Sequence, residues 1–301
     1  MKINHIIPLC ALLLAGCSSE REIGKPSIVL GVDGLGQGTR AVVDGWDNTL
    51  VSVAYAFGAE DYTKAFNATV VGTADKHVNT GMAYPAGDVP AHFVGYHPVE
   101  VPDAMGQVIY DISNGDVDLM LSNEISGTHS APITDKLNFE HKLTRITFEM
   151  NCKAGSPAYP EPILGVFADN AVPTKSLMTR AKIDLNTRAV SFLISTNRVF
   201  AGGLDGKPVP PAGSPPLVID AMVQPDVPLK FTVLTLSGEQ DITISNPTHA
   251  AWLQLINNGG EAGKRYVIKL SFSGIGILDF DGISVVDWET GASLGETGIW
   301  W

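Results

Sequence analysis

Apolar and polar residues alternate with a period of two along most of this chain, and this alternation restricts the fold to strands. The clearest case is segment 143–150, whose even-numbered residues share one face of an extended chain while the odd-numbered residues share the other. The first face comprises Thr144, Ile146, Phe148 and Met150, and the second comprises Arg145, Thr147 and Glu149. Because successive side chains of a strand point to opposite sides, the pattern predicts a half-buried strand with its charged residues outward.

Four further segments alternate in the same way, namely 117–121, 189–194, 230–236 and 266–272. Long stretches with the 3.6-residue period of a helix are absent. The 31 glycines and 19 prolines fall largely between the candidate strands, where they favour turns. Strands joined by short turns, without helical crossovers, predict an all-β fold of antiparallel sandwiches.

One segment interrupts the alternation and has the composition of a boundary. Residues 153–162 contain three prolines and follow a strongly predicted strand. Proline removes a hydrogen-bond donor from a strand ladder, so this segment cannot lie in the middle of a sheet. At 301 residues the chain is long enough for two cores. We therefore predict an N-terminal sandwich over residues 28–152, a linker over 153–162 and a C-terminal sandwich over 163–301.

The start of the chain has the composition of an export and anchoring segment. Residues 1–16 combine the charged Lys2 with a short apolar stretch, which fits a secretory signal and is too short for a permanent membrane helix. The stretch runs into Leu14-Ala15-Gly16-Cys17, which has the pattern of a lipobox, where Cys17 carries lipid and becomes the mature N-terminus. Residues 17–27 then form a polar tether. The alternative is an ordinary signal peptide with an incidental cysteine.

Cysteine usage excludes an internal disulfide in the mature chain. Cys10 leaves with the signal and Cys17 carries lipid, so Cys152 is the cysteine left for the fold. Stability must therefore come from buried apolar surface. We expect Cys152 to be a small buried side chain at the end of a strand. A catalytic thiol there would need a positioned base, and the sequence suggests none.

The net charge argues against nucleic acid as a partner. The formal charge is −12, and no cluster of lysine or arginine offsets it locally. A chain this acidic repels a phosphate backbone. After the signal, no second apolar segment is long enough to span a bilayer, so the lipid on Cys17 would be the only membrane anchor.

No constellation of residues predicts catalysis, a cofactor or a metal. The seven histidines lack the short spacing of a helical zinc motif, and we expect them to be hydrogen-bonded side chains. Asp279 and Asp281 form a fragment of a calcium loop, but Thr290 stands where that loop needs a glutamate, so we interpret the pair as a turn. We predict that the chain is not an enzyme and has no cofactor and no metal.

Tryptophans mark two positions expected in the core and one apolar end. Exposed aromatic faces can stack on sugar rings, but isolated tryptophans usually pack inside a protein, and we expect this for Trp252 and Trp288. The end of the chain, Ile299-Trp300-Trp301, is unusually apolar for a free terminus. We expect it to dock against its own chain or against a partner.

Several segments together resemble the fimbrillin family, the surface lipoproteins of the Bacteroidales that form type V pili. The first is the lipobox ending in Cys17. Residues 118–120, followed by residues 137–146, resemble the strand pair that closes the first domain of this family. Residues 263–272 and 283–291 are similar to its second-domain signature. The resemblance covers most of the chain.

The resemblance implies two tandem Greek-key β-sandwiches of the transthyretin-like type. It also implies assembly by strand exchange, in which a protease removes an N-terminal strand and the exposed groove accepts a strand from the next subunit. Family members that polymerise are cut after an arginine in the N-terminal region. Arg40, between the glycine-rich residues 31–38 and a strand beginning at Ala41, is the candidate in this chain, and a cut after it would release Ile28-Val29-Leu30. Arg21 is the other candidate, but a cut there would remove only tether.

We therefore expect a structural or adhesive subunit of a cell-surface fimbria, held at the outer membrane by lipid on Cys17. The expected partners are other fimbrial subunits and, in addition, a host glycan or protein; Ile299, Trp300 and Trp301 are a candidate part of the donor strand. The alternative is a monomeric surface lipoprotein that binds glycan or another nutrient through exposed aromatic residues. The sequence leaves open whether the chain is a stalk, anchor or tip subunit.

Overall fold

The structure is a computed structural model that describes residues 27–33, 49–72, 75–242, 249–274 and 277–288. Within these ranges the chain forms eighteen strands, a short 3-10 turn at Ala86–Asp88 and one helix, α1 (Ala250–Asn257). The strands are β1 (Ser27–Asp33), β2 (Leu50–Phe57), β3 (Lys64–Thr69), β4 (His77–Ala83), β5 (Ala91–His97), β6 (Gln107–Asp111), β7 (Met120–Gly127), β8 (Lys136–His141), β9 (Thr144–Cys152), β10 (Pro162–Asn170), β11 (Leu177–Asp184), β12 (Ala189–Thr196), β13 (Arg198–Pro208), β14 (Leu217–Val223), β15 (Leu229–Thr235), β16 (Gly238–Asp241), β17 (Lys264–Ser273) and β18 (Ile277–Asp287).

These strands form four sheets. A seven-stranded sheet has the order β3-β2-β5-β7-β8-β1-β4, and a three-stranded sheet has the order β12-β11-β6. Two four-stranded sheets have the orders β13-β10-β15-β16 and β14-β9-β17-β18. The predicted all-β fold is confirmed, while the Greek-key connection of two tandem sandwiches stays a prediction.

Two pairs of strands depart from the predicted antiparallel arrangement. Strand β1 runs parallel to β8, and β17 runs parallel to β9. The partners in each pair are far apart in sequence, so no short turn forces them to run in opposite directions. The prediction of purely antiparallel sheets is therefore wrong at these two pairs.

Three clusters of buried apolar side chains hold the sheets together. One is shared by the two four-stranded sheets and includes Phe148 and Phe231. A second is shared by the seven-stranded and three-stranded sheets and includes Val94 and Ile183. The third comes almost entirely from strands of the seven-stranded sheet, from β1 and β4 at one end to β2 at the other. That sheet therefore curls around an interior of its own.

Strand pairing crosses the predicted boundary at residues 153–162. Strand β9 pairs with β14 and β17, and β6 pairs with β11. Residues 153–162 connect β9 to β10, whose apolar side chains belong to one core. The three prolines thus lie where the chain crosses from one sheet to another around the same core. Proline suits such a crossing as well as it suits a domain linker, because it ends a strand ladder. The division into sandwiches at 28–152 and 163–301 stays a prediction. Strands β6 and β9 lie before the predicted boundary, but each pairs with strands that lie after it.

The predicted strands are found, with three differences in detail. Segments 189–194 and 266–272 lie within β12 and β17, and segment 230–236 overlaps β15. The strand predicted at 117–121 begins only at Met120. In β9 the predicted outward positions of Arg145 and Thr147 are wrong, because these residues are 1% and 0% exposed. The pair Asp279 and Asp281 lies within β18 rather than in a turn.

The helix α1 was not predicted, because a segment of eight residues is too short for a helical period to stand out. Trp252 and Leu255 on this helix are buried, and the Trp252 ring packs against Phe280 with 5.1 Å between centroids. The predicted core position of Trp252 is confirmed. No helix in the described part of the chain is long and apolar enough to cross a membrane.

Candidate functional site

Strand β1 occupies an interior slot of the seven-stranded sheet and fills it with alternate side chains. Ile28, Leu30 and Val32 are 2%, 0% and 2% exposed, whereas Val29 between them is 47% exposed. The three buried side chains belong to the cluster inside the curled sheet. Each buried side chain of this size contributes about 1.5–3 kcal/mol relative to an exposed one. The slot that holds them is called the β1 groove below, and its walls are β4 and β8.

Both walls of the β1 groove bond to β1 through the backbone. Against β4 the pairing is antiparallel, with Leu30 opposite Val78. Against β8 it is parallel, with Val32 opposite Leu137. The Thr80 hydroxyl also donates to the Ile28 carbonyl oxygen at 2.8 Å. If β1 left, β4 and β8 would lose their shared neighbour and the groove floor would be exposed to water.

The predicted glycine-rich loop begins later than the sequence suggests. Gly31 lies inside β1, which continues to Asp33. A Cβ atom at Gly31 would stand 2.8 Å from Cγ of Lys136, so a glycine here leaves room for the stem of that lysine. The segment that a cut after Arg40 would release therefore contains all of β1, and not only Ile28-Val29-Leu30.

Replacing Leu30 by alanine is expected to lower the free energy of unfolding by about 2–5 kcal/mol, because it leaves a cavity in a closed core. The matched control is Val29→Ala on the same strand, whose side chain faces outward and whose loss should change stability by about 0.5 kcal/mol or less. Urea denaturation of both variants measures the difference. Equal effects would show that β1 does not fill the groove in solution.

Six predicted site residues lie outside the described residues. They are Cys17, Arg21, Arg40, Ile299, Trp300 and Trp301. Their predicted roles in lipidation, cleavage and strand donation stay predictions. Sequence position alone places Arg40 after β1, and Cys17 and Arg21 before it.

A second constellation brings together residues from the segments that carry the family resemblance. The Nδ1–H group of His141, at the end of β8, donates to the Asp118 carboxylate at 2.7 Å. The two side chains are 3% and 1% exposed. The His141 ring stacks on Trp288 with 3.9 Å between centroids and 3° between planes. On the sequence these residues lie far apart, and the packing makes them one buried unit.

The unit continues through Arg145 into the neighbouring sheet. The Arg145 guanidinium carbon lies 5.8 Å from the centre of the Trp288 ring, a distance at which a cation is attracted to the ring face. Its Nε and Nη2 atoms donate to the two oxygens of Asp220 at 3.0 Å and 2.9 Å. This bidentate pairing explains why Arg145 can be buried. Asp118, His141, Trp288, Arg145 and Asp220 are called the junction stack below.

Arg265 on β17 adds a second buried guanidinium beside the junction stack. Its Nε atom donates to the Thr147 hydroxyl at 2.9 Å, and that hydroxyl donates in turn to Asp220. Burial lowers the pKa of Arg265, and the positive charge of Arg145 lowers it further. The sequence did not indicate either buried arginine, since both stand at strand positions that alternation assigns to solvent.

Asp118, His141, Arg145 and Trp288 of the junction stack are buried, and they act through packing. His141 Nε2, Asp118 Oδ2 and Trp288 Nε1 are buried without hydrogen-bond partners among the described residues. A proton acceptor that no solvent or substrate reaches cannot take part in proton transfer to a ligand. What the stack does is join β8 to β9 and to the end of β18.

The remaining predicted side chains are found where the sequence places them. Trp288 is 1% exposed, and Cys152 is buried as the last residue of β9. The expectation of hydrogen-bonded histidines is confirmed at His92, whose Nδ1 lies 3.0 Å from Glu124, and at His97, whose Nδ1 lies 3.2 Å from the Leu50 carbonyl oxygen.

Comparison with known proteins gives one family and a set of similar folds. The family model described as fimbrillin-like matches residues 39–288. A candidate cell adhesion protein from Bacteroides uniformis has a similar fold, with 16% identity and a TM-score of 0.59 over 87% of this chain and 98% of that one. One from Bacteroides ovatus has 13% identity and a TM-score of 0.53 over 89% and 100% of the two chains. Among curated protein sequences, none shows significant similarity to the chain.

Proposed function

The chain belongs to the fimbrillin-like family and is therefore a fimbrial subunit, and we propose that it assembles by exchanging β1 for a strand of a neighbouring subunit. The observation that carries this proposal is the position of β1. It is a short N-terminal strand, paired on both sides, whose buried side chains come from one face. Such a strand can be replaced by another with the same alternation, because main-chain bonds and side-chain pockets are supplied by the groove.

Cleavage after Arg40 is the proposed trigger. It would separate β1 covalently from the body of the chain, which resumes in the described part at residue 49. The strand would then be held only by non-covalent contacts, and a donor segment attached to a second subunit could take its place. Ile299, Trp300 and Trp301 are the proposed part of that donor, since an apolar end can fill apolar pockets.

Lipid on Cys17 is the proposed anchor of the precursor at the outer membrane. Nine residues lie between Cys17 and Ser27. An extended chain spans about 3.3–3.6 Å per residue, so β1 would stand within about 35 Å of the lipid. Cys17 and β1 both precede Arg40 in the sequence. A cut there, followed by displacement of β1, would therefore release the subunit from its membrane anchor and open the β1 groove.

Replacing Arg40 by alanine is expected to abolish oligomers on cells, because β1 would stay attached and continue to fill the groove. Heat- and denaturant-resistant ladders on gels measure assembly, and N-terminal sequencing of the surface protein measures processing. The matched control is Arg21→Ala, which removes an arginine before β1 and should leave both readouts unchanged. A surface protein that oligomerises while still starting at lipidated Cys17 would contradict the proposal.

A second candidate function is glycan binding by a monomeric surface lipoprotein, with a host or nutrient glycan as the ligand. A cleft of about 350 Å³ beside β2 is lined by Tyr55, Phe57, Asp61 and Lys64 among others. The Tyr55 and Phe57 rings lie 5.6 Å apart, and Phe57 is exposed. Aromatic faces next to charged side chains suit a sugar ring. Saturable glycan binding by a chain that never forms ladders would favour this function over assembly.

A further inference from the structure

Three side chains from separate elements converge beside β5 and β7 of the seven-stranded sheet. Glu60 lies in the loop between β2 and β3, His92 is on β5, and Glu124 is on β7. Each offers one ligand atom, and these atoms all lie within 4.8 Å of one another. His92 Nδ1 and Glu124 Oε1 are 3.0 Å apart, near the separation of two ligands that share an ion at about 2.0–2.2 Å.

The surroundings of this group contain buried polar atoms without partners. The Tyr62 hydroxyl and His92 Nε2 are buried and accept or donate no hydrogen bond among the described residues. Tyr62 as a whole has no exposed surface. A buried polar atom without a partner, such as His92 Nε2, calls for a further partner.

One exposed arginine lies beside both carboxylates. Arg188 Nη1 lies 2.6 Å from Glu124 Oε2 and 3.7 Å from Glu60 Oε2. Its side chain is 38% exposed, against 18% for Glu124. Arg188 is in the turn between β11 and β12 and has φ of +58°. The Arg188 guanidinium is thus the cation that pairs with Glu60 and Glu124 in this group. It is exposed to solvent and lies in a turn.

We propose that Glu60, His92 and Glu124 form a binding site for a divalent transition metal of the zinc type, which replaces the Arg188 guanidinium. One imidazole nitrogen and two carboxylate oxygens are a donor set that Zn²⁺ accepts, with a fourth position left for water. The divalent ion balances both carboxylates, which Arg188 with its single charge does not. Bound metal would fasten the loop after β2 to β5 and β7 in the middle of the sheet. The proposal does not depend on strand exchange.

Titration calorimetry of the full mature chain with ZnCl₂ tests the site. The wild type is expected to bind one equivalent, and His92→Gln and Glu124→Gln are each expected to weaken binding by about tenfold or more, because each removes a ligand. Arg188→Gln is expected to tighten binding by a similar factor, because it removes the competing cation. This variant changes an exposed turn residue and should fold normally. The matched control His129→Ala alters an exposed histidine outside the group and should bind as the wild type does.

Two outcomes would overturn the proposal. One is the absence of Zn²⁺ binding by both the wild type and Arg188→Gln at millimolar metal. The other is binding that His92→Gln leaves unchanged while its far-ultraviolet circular dichroism shows a folded chain, since the metal would then sit elsewhere on the acidic surface. Zinc should also raise the unfolding temperature of the wild type but not of Glu124→Gln.

Discussion

A chain that starts at Ala41, and so lacks β1, is expected to bind a synthetic peptide of residues 27–33 added separately. The peptide would restore three buried side chains and the backbone bonds on both walls of the groove. After the loss of free motion on association is subtracted, we expect a dissociation constant on the order of micromolar. Fluorescence anisotropy of the labelled peptide measures it. Bound peptide should also raise the unfolding temperature of the truncated chain by several degrees, about 2–4 °C per kcal/mol.

Two altered peptides make this experiment specific for the groove. Leu30→Asp places a charge at a position that is fully buried and should abolish binding. Val29→Asp places the same charge on the outward face and should bind nearly as the native peptide does. A truncated chain that is as stable as the whole chain, or that binds the two altered peptides equally, would show that β1 is not a replaceable strand.

Replacing Trp288 by alanine is expected to lower the free energy of unfolding by about 3–5 kcal/mol. The substitution removes the ring on which His141 stacks and over which the Arg145 guanidinium lies. It also leaves a cavity where β8, β9 and the end of β18 meet. Urea denaturation monitored by circular dichroism gives the difference. Trp288→Phe is the matched control, since it keeps an aromatic face and should retain most of the stability.

A double-mutant cycle separates the stacking contact from general loss of volume. The coupling between Trp288→Ala and His141→Ala is expected to be about 0.5–1.5 kcal/mol, the range of ring pairs in contact. Trp252→Ala, which alters a tryptophan in another core, should show no coupling with His141→Ala. Additive effects of Trp288→Ala and His141→Ala would mean that the two rings contribute independently and that the junction stack is not one unit.

Alternation predicts the strands well because it follows directly from strand geometry, but it carries no information about what covers the outer face. Arg145 illustrates the limit. Its side chain lies on the face of β9 opposite to that of Ile146 and Phe148, so alternation predicts that it is exposed. In the structure Asp220 and Trp288 cover it. Alternation does not predict the pairing of β9 with β17 either. The paired residues are about 120 positions apart, and the two strands run parallel. Long-range pairing of this kind is set by the whole core and not by local pattern.

The β1 groove was partly predictable, whereas the Glu60, His92 and Glu124 group was not. The short apolar run before the glycine-rich stretch indicates that β1 is a strand. That it lies between β8 and β4 is known only from the sheet order. The three metal-site residues have no motif spacing. His92 and Glu124 meet because β5 and β7 pair with Val94 opposite Glu124, and Glu60 joins them from a loop. The sequence therefore predicted no metal.

The β1 groove differs on its two sides, since β1 is antiparallel to β4 and parallel to β8. The two kinds of ladder present their donors and acceptors with different spacing. A replacement strand inserted in the reverse direction would be parallel to β4 and antiparallel to β8. Its hydrogen-bonding groups would then not match those of either wall, and it would need a new register against each. Subunits joined through this groove would therefore all point the same way. Their fibre would have a distinct head and tail, so that growth at one end cannot be mistaken for growth at the other.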